Sequence, residues 1–241
     1  MQTRVYHISF HAAHKLCCLF FWGCNFECIG CLRKVEPFDC HFPVPKQSAK
    51  PFSPTFLTFE EIVDALRSVT PKIVVFEGWE PTLDPHLSKI ATELHREIGT
   101  CNYLLTNGYI LPELEGIDEV KVSIKALSDE MHREYTGKSN RRVLQNLREF
   151  YQRGIKLSAE TVLIPGYVNE EEISRIARFL ASVDKEIPLR IDAYWPIASK
   201  KWRPPTAREM RKAVEEAERY LVNVSFLGGS EQVQGEVVTV V

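Results

Sequence analysis

The chain has no apolar run long enough to cross a bilayer. Leu16 to Trp22 is apolar, but a spanning helix needs about 20 such residues, and the flanks of a secretory leader are missing. A cytoplasmic protein with no membrane partner is therefore the expectation. A strong charge of either sign is also lacking. With a net charge of −2 and the charges interspersed, nothing marks a protein that coats nucleic acid, although a specific RNA substrate stays open. There is no repeat, no low-complexity tract and no evident linker, so residues 1–241 read as one domain, a size common for a single α/β barrel. The seven cysteines do not form the spaced pairs of a disulfide framework and suit a reducing compartment better.

Three of those cysteines fall in one short stretch, Cys24-Asn25-Phe26-Glu27-Cys28-Ile29-Gly30-Cys31, at C-x3-C-x2-C spacing (cluster loop 24–31). A tight loop can turn three thiolates inward around one inorganic core, and thiolates are the usual ligands of a [4Fe–4S] cluster, which normally takes four. Three without an obvious fourth point to a cube with one iron left open for a substrate or cofactor, as in the open position of a catalytic zinc site. The competing reading is a structural zinc knuckle. That needs a second ligand pair, and neither Cys17-Cys18 nor Cys40-His41 has a pair's spacing. His7, His11 and His14 recur at i, i+4 and i+7, which would place them on one helix face. They and Cys40-His41 are the candidates for a second metal, with ordinary packing or surface roles as the alternative. Cys17, Cys18 and Cys101 read as small buried residues.

Leu16 to Trp22 reads as a buried strand that delivers the cysteine loop, preceded by a possible strand from Arg4 to Phe10. The proline-rich connection 32–57 (Pro37, Pro43, Pro45, Pro51, Pro54) is longer than structureless loops usually are, and is expected to cover the site. Strands and helices then alternate. Strands are predicted at Lys72–Glu77, Cys101–Leu105, Glu119–Lys125, Ile155–Ile164 and Leu189–Tyr194, with a possible terminal one at Val222–Phe226. Helices are predicted at Thr58–Val69, Pro85–Ile98, Ser128–Tyr135, Arg141–Arg153, Asn169–Val183 and Thr206–Tyr220. Thr58/Glu61, Asn169/Glu172 and Thr206/Glu209 have capping-box spacing. Such alternation implies parallel βαβ units, whose chemistry gathers at the C-terminal ends of the strands.

The cysteine spacing, with Glu80-Pro81, Thr106-Asn107-Gly108, Lys125, His132-x2-Tyr135-Thr136-Gly137 and Ile164-Pro165-Gly166 in this order, resembles the radical S-adenosylmethionine (SAM) superfamily, and more narrowly the branch of pyruvate formate-lyase activating enzymes. The resemblance runs from Cys24 to about Trp202 and implies an α/β fold, a partial (β/α)6 TIM-like barrel. It implies a [4Fe–4S] cluster on Cys24, Cys28 and Cys31 with SAM on the open iron. One electron would cleave SAM to methionine and a 5′-deoxyadenosyl radical that takes hydrogen from a substrate, with a flavodoxin or ferredoxin as reductant.

By the same resemblance Glu80 would read the SAM amino group, as a carboxylate accepts from an ammonium. Thr106 and Asn107 would face the cofactor, and Lys125 would meet its carboxylate or ribose. Pro165 and Gly166 would offer an adenine shelf, and Tyr194 and Trp195 would wall the pocket. The plain alternatives are a solvated Glu80, a strand-end Lys125, an ordinary turn at Pro165-Gly166 and aromatics that only pack. The chain departs from the branch in several places. Gly30 stands where an aromatic is common and Trp79 where a glycine is, so Trp79 is expected to refill the space at Gly30. Leu105 and Ser123 replace acidic residues, which removes the carboxylates a bound cation would want. Glu160 replaces a basic residue and Trp195 a histidine. Three functions follow: installing a glycyl radical on a partner protein; radical chemistry on a small metabolite or RNA base, with Lys200-Lys201-Trp202-Arg203 as a phosphate contact or a solvated loop; or a non-catalytic iron–sulfur or zinc protein.

Overall fold

A computed structural model describes residues 1–41, 53–229 and 235–241. The strands are β1 (Val5–His11), β2 (Leu16–Phe21), β3 (Ile73–Gly78), β4 (Cys101–Thr106), β5 (Glu119–Ser123), β6 (Lys156–Leu163), β7 (Leu189–Ala193), β8 (Val224–Leu227) and β9 (Val237–Thr239). The helices are α1 (Phe59–Val69), α2 (Leu87–Ile98), α3 (Asp129–Thr136), α4 (Arg141–Gln152), α5 (Glu170–Val183) and α6 (Ala207–Glu218). They build one open sheet in the order β8-β7-β6-β5-β4-β3-β2-β1-β9. From β2 to β8 all neighbours run parallel, while β1 is antiparallel to both β2 and β9. The parallel βαβ units are those the alternation implied, and together they form the partial TIM-like barrel the resemblance implied. The possible terminal strand is real, as β8. The β9 strand carried no readable signal in its three residues.

Helix ends follow their caps. Thr58 and Thr206 close complete capping boxes with Glu61 and Glu209. Asn169 caps α5, but Glu172 does not complete a box; its buried carboxylate accepts instead from the Leu127 and Ser128 amides at 2.6 and 2.7 Å. The second helix shows why the outer face is apolar: Leu87, Ile90, Ala91 and Leu94 recur at helical spacing and all are buried, each large side chain contributing about 1.5–3 kcal/mol.

Two expectations are corrected here. His7, His11 and His14 share no helix, because β1 takes the first two and a 3-10 turn the third. Cys101 is exposed rather than core, since it is the first residue of its strand. Of the proline-rich connection, residues 42–52, with Pro43, Pro45 and Pro51, lie outside the described residues. The part up to His41 packs along the sheet, with the Tyr6 hydroxyl donating to the Pro37 carbonyl.

Gly116 sits between β4 and β5 at φ +78°, where an added Cβ would lie 2.4 Å from the Thr92 nitrogen on α2. Left-handed strain and a backbone overlap act together there, so Gly116→Ala is expected to cost about 3 kcal/mol. A urea midpoint close to wild type would contradict this close approach.

Candidate active site

Along β2, side chains alternate between the two faces of the sheet. Cys17, Leu19 and Phe21 join the helix-side core, and Cys18 and Phe20 face inward with Tyr6 and Trp79. The chain leaves β2 and turns at once into the cysteine loop. Backbone bonds hold that loop on the C-terminal end of α3, where a helix leaves its last carbonyls unpaired. Glu27 N donates to Thr136 O at 2.9 Å and Ile29 N to Tyr135 O at 3.0 Å. Phe26 inserts between Tyr109 and His132, with ring centroids 5.5 and 5.4 Å away. The His132-x2-Tyr135-Thr136-Gly137 segment is therefore the platform of the cysteine loop, a role that local spacing does not reveal.

Cys24, Cys28 and Cys31 are free and line one cavity of about 290 Å³ at the C-terminal ends of the strands, together with Trp79, Thr106, Asn107 and Lys125. A structural zinc takes four ligands, and among the described residues that line the cavity there is no fourth cysteine and no histidine. The three thiols suit a cluster with one iron left open. Burial pushes the Cys28 thiol up to about 12 and raises Cys24 as well. Metal coordination deprotonates such thiols outright, and the Lys125 charge nearby favours their thiolate forms. The Phe26 amide points at Cys24 Sγ from 3.3 Å. Among the described residues, the Asn25 Nδ2 amide beside it is buried without a hydrogen-bond partner. These groups fit a thiolate-bound, electron-rich cluster, because its sulfurs accept hydrogen bonds.

Glu80 is where the structure departs most from expectation. It is wholly buried and does not line the cavity. Its Oε1 accepts from Thr82 Oγ1 (2.5 Å), Thr106 Oγ1 (2.7 Å) and Thr82 N (3.2 Å), and Oε2 accepts from Asn107 N (2.8 Å). Glu80 N donates to Gly23 O at 3.0 Å, and Asn107 Nδ2 donates to Asn25 Oδ1 at 2.6 Å. Glu80 is thus a brace between the ends of β3 and β4 and the cysteine loop, with both carboxylate oxygens engaged inside the protein.

The far wall also differs in detail. Ile164 and Val162 line the cavity, but Pro165, Gly166 and Trp195 do not. A turn closed by Tyr167 N to Ile164 O (2.9 Å) carries Pro165 and Gly166 away, and nothing lies within 4 Å of a Cβ placed on Gly166. Tyr194 turns inward, so its neighbour Trp195 points out and is 53% exposed. The space at Gly30 is filled by Tyr135 and Tyr194, whose atoms lie 2.7 and 2.9 Å from an added Cβ. Trp79 packs on Trp22 instead, ring centroids 5.1 Å apart. Trp79, Tyr135 and Tyr194 are all far from Gly30 in sequence, so only the fold decides which of them meets it.

Leu105 and Ser123 both line the cavity. Ser123 Oγ donates to Glu160 at 2.5 Å, and Glu160 accepts from Arg190 at 2.7 Å, while Arg190 also grips Asp192 through two contacts of 2.8 Å. The positive charge that β6 lacks at Glu160 is thus supplied by the neighbouring strand β7. Arg33, just after the cysteines, lines the cavity too and pairs with Glu77 at 3.9 Å. Neither Arg33 nor Arg190 carries a motif, so both escape a reading by spacing.

A parallel partial barrel with three clustered cysteines at the strand ends defines an iron–sulfur enzyme of the SAM-cleaving kind, and comparison with known families agrees. Residues 19–180 match the radical SAM superfamily, so the chain belongs to it, and its cofactors are a [4Fe–4S] cluster and SAM. A Methanocaldococcus jannaschii protein provisionally named a glycyl-radical enzyme activating enzyme is 32% identical over 219 residues, covering 85% of this chain and 77% of that protein. The pyruvate formate-lyase 1-activating enzyme of Escherichia coli K12 is 22% identical over 227 residues, 86% of this chain and 90% of that protein. Among solved structures, a radical SAM methyltransferase from Sphaerobacter thermophilus shares the fold, with a TM-score of 0.68 at 15% identity over 92% of this chain and 70% of that one. Among the described residues, no helix is long and apolar enough to cross a membrane.

Proposed function

We propose that this enzyme removes a hydrogen atom from a glycine of a partner protein, leaving a glycyl radical. The observation that carries this reading is the 32% identity, over 85% of the chain, to a relative named for that activity. The open sheet supports it, because the edges β8 and β9 do not pair with each other and leave a side through which a peptide loop could enter.

Cys24, Cys28 and Cys31 would hold the cluster, with the Asn25 amide and Phe26 N–H donating to its sulfurs. When bound and reduced, that cluster supplies the electron that cleaves SAM to methionine and a 5′-deoxyadenosyl radical. Lys125 offers its ammonium to the SAM carboxylate, as a cation pairs with an anion in a site withdrawn from water. Thr106 and Asn107, fixed by Glu80, orient the same end of the cavity. Val162 and Ile164 provide the apolar wall for the adenine, in place of Pro165 and Gly166. Trp79 closes the side against β3. The reductant, a flavodoxin or ferredoxin, belongs to the same proposal.

The test is anaerobic incubation of the reduced enzyme with SAM and a glycyl-radical enzyme of the same source, labelled with α-deuterated glycine. Deuterium in the 5′-deoxyadenosine, with an organic radical in the electron paramagnetic resonance spectrum, is the expected result. Unlabelled 5′-deoxyadenosine without an organic radical would move the substrate to a small metabolite or an RNA base.

A further inference from the structure

A second set of metal-binding side chains lies on the inner face of β1 and β2, away from the cysteine cavity. In the antiparallel ladder Ser9 stands opposite Cys18, so the two share a face, and alternation puts His11 on that face too. The segment that follows the cysteine loop brings Asp39 against them. Its carboxylate is buried. Oδ2 accepts from Ser9 Oγ at 2.6 Å and lies 2.9 Å from His11 Nε2. Oδ1 accepts from His41 N at 3.0 Å and lies 2.8 Å from His41 Nδ1. A thiol accompanies each imidazole: Cys18 Sγ is 4.0 Å from His11 Nε2, and Cys40 Sγ is 4.0 Å from His41 Nδ1. The rings of His11 and His41 are 5.5 Å apart between centroids. The triads His11–Cys18–Asp39 and Asp39–Cys40–His41 each hold their ligand atoms within 4.8 Å, and they share Asp39.

We propose that these side chains bind one zinc ion, with Asp39 as the central ligand and the remaining positions taken from His11, Cys18, Cys40 and His41. Thiolate, imidazole and carboxylate together are the donor set of zinc, whereas calcium and magnesium take oxygen alone. Tetrahedral coordination draws donors to about 3.3–3.8 Å of one another, a small contraction within either triad; the fourth ligand comes from the other triad through the shared Asp39, and segment 36–41 shifts to bring it in. Hydrogen bonding alone accounts for Ser9, His11, Asp39 and His41, but it requires neither thiol. None of the five candidate ligands lines the cysteine cavity, so this site is separate from the cluster.

The ion would be structural. It would staple segment 36–41 to the β1–β2 hairpin, and that segment in turn holds Arg33, which donates to the Phe38 and Glu36 carbonyls. Arg33 lines the cavity beside the cluster loop, so the staple would fix one wall of the active site.

The test is zinc content, by mass spectrometry, of the full chain with its cluster reconstituted, after exposure to zinc chloride and desalting. About one zinc per chain is expected, retained when Cys24, Cys28 and Cys31 are all replaced by Ala. Asp39→Ala should lower zinc occupancy at limiting metal at least tenfold. Cys40→Ser with His41→Gln, both nearer the surface, should do the same without endangering the fold. Cobalt in the triple cluster-loop variant should show thiolate-to-metal charge-transfer absorption that weakens in the added Cys18→Ser change. Zinc that is absent from the wild type, or lost with the cluster-loop cysteines and kept in both Asp39→Ala and the Cys40/His41 variant, would overturn the proposal.

Discussion

Cys28→Ala is expected to lose the cluster altogether while the chain still folds. Two remaining thiolates in one loop cannot hold a cube that three already hold with one iron open, so iron and sulfide after reconstitution should fall to background, and 5′-deoxyadenosine with them. The fold should survive, because the loop is anchored by its own backbone bonds to Tyr135 and Thr136 rather than by the sulfur. Cys101→Ala, at an exposed strand start, is the matched control and should keep full iron. A Cys28→Ala protein that loads iron and cleaves SAM like the wild type would mean that the cavity is not the cluster site.

Glu80→Ala should be the most damaging change that touches no cysteine. Removal of the carboxylate leaves the Thr106 hydroxyl, the Asn107 amide and the Thr82 donors buried without their acceptor. At about 1–3 kcal/mol for each buried donor left unpaired, and with partial relaxation, the loss should be about 3–5 kcal/mol. The damage should reach the cluster, since Asn107 also holds Asn25 and Glu80 N holds Gly23. Glu80→Gln should lie between, because its amide keeps one acceptor and turns a donor towards either Asn107 N or the threonines. Chemical denaturation and iron content check both variants. If Glu80→Ala kept wild-type stability and lost only SAM affinity, Glu80 would be a direct ligand of SAM rather than a brace.

What could be read from the sequence was whatever is local. The cysteine spacing named the cluster because three ligands within one loop need no tertiary information. Leu16 to Phe21 and the later apolar runs gave the parallel strands, and Thr58/Glu61 and Thr206/Glu209 marked helix starts that the structure keeps. Features set by contacts between distant residues stayed hidden. The partners of Glu80 at the end of β4 come from beyond an intervening helix, so neither its burial nor its bracing bonds had a local signal. Gly30 is explained by Tyr135 and Tyr194, which only the barrel brings together. The strand ends were placed to within two residues, with Glu119–Lys125 stopping at Ser123, but the turns that follow them decide which side chain enters the cavity. Past β7, Tyr194 is buried against Gly30 and Trp195 is exposed, and neither lines the cavity, while a turn puts Ile164 there rather than Pro165 and Gly166. His11 and His41 became neighbours through Asp39, a residue with no spacing to single it out.

The central claim is that this cavity cleaves SAM, and the direct measurement is 5′-deoxyadenosine and methionine released by the anaerobically reconstituted, chemically reduced wild type, with Cys28→Ala run beside it. The account predicts both products in equal amounts from the wild type and neither from the variant. A wild type with an intact, reducible cluster that does not bind SAM and releases neither product would contradict it, and would leave a cluster protein without this chemistry.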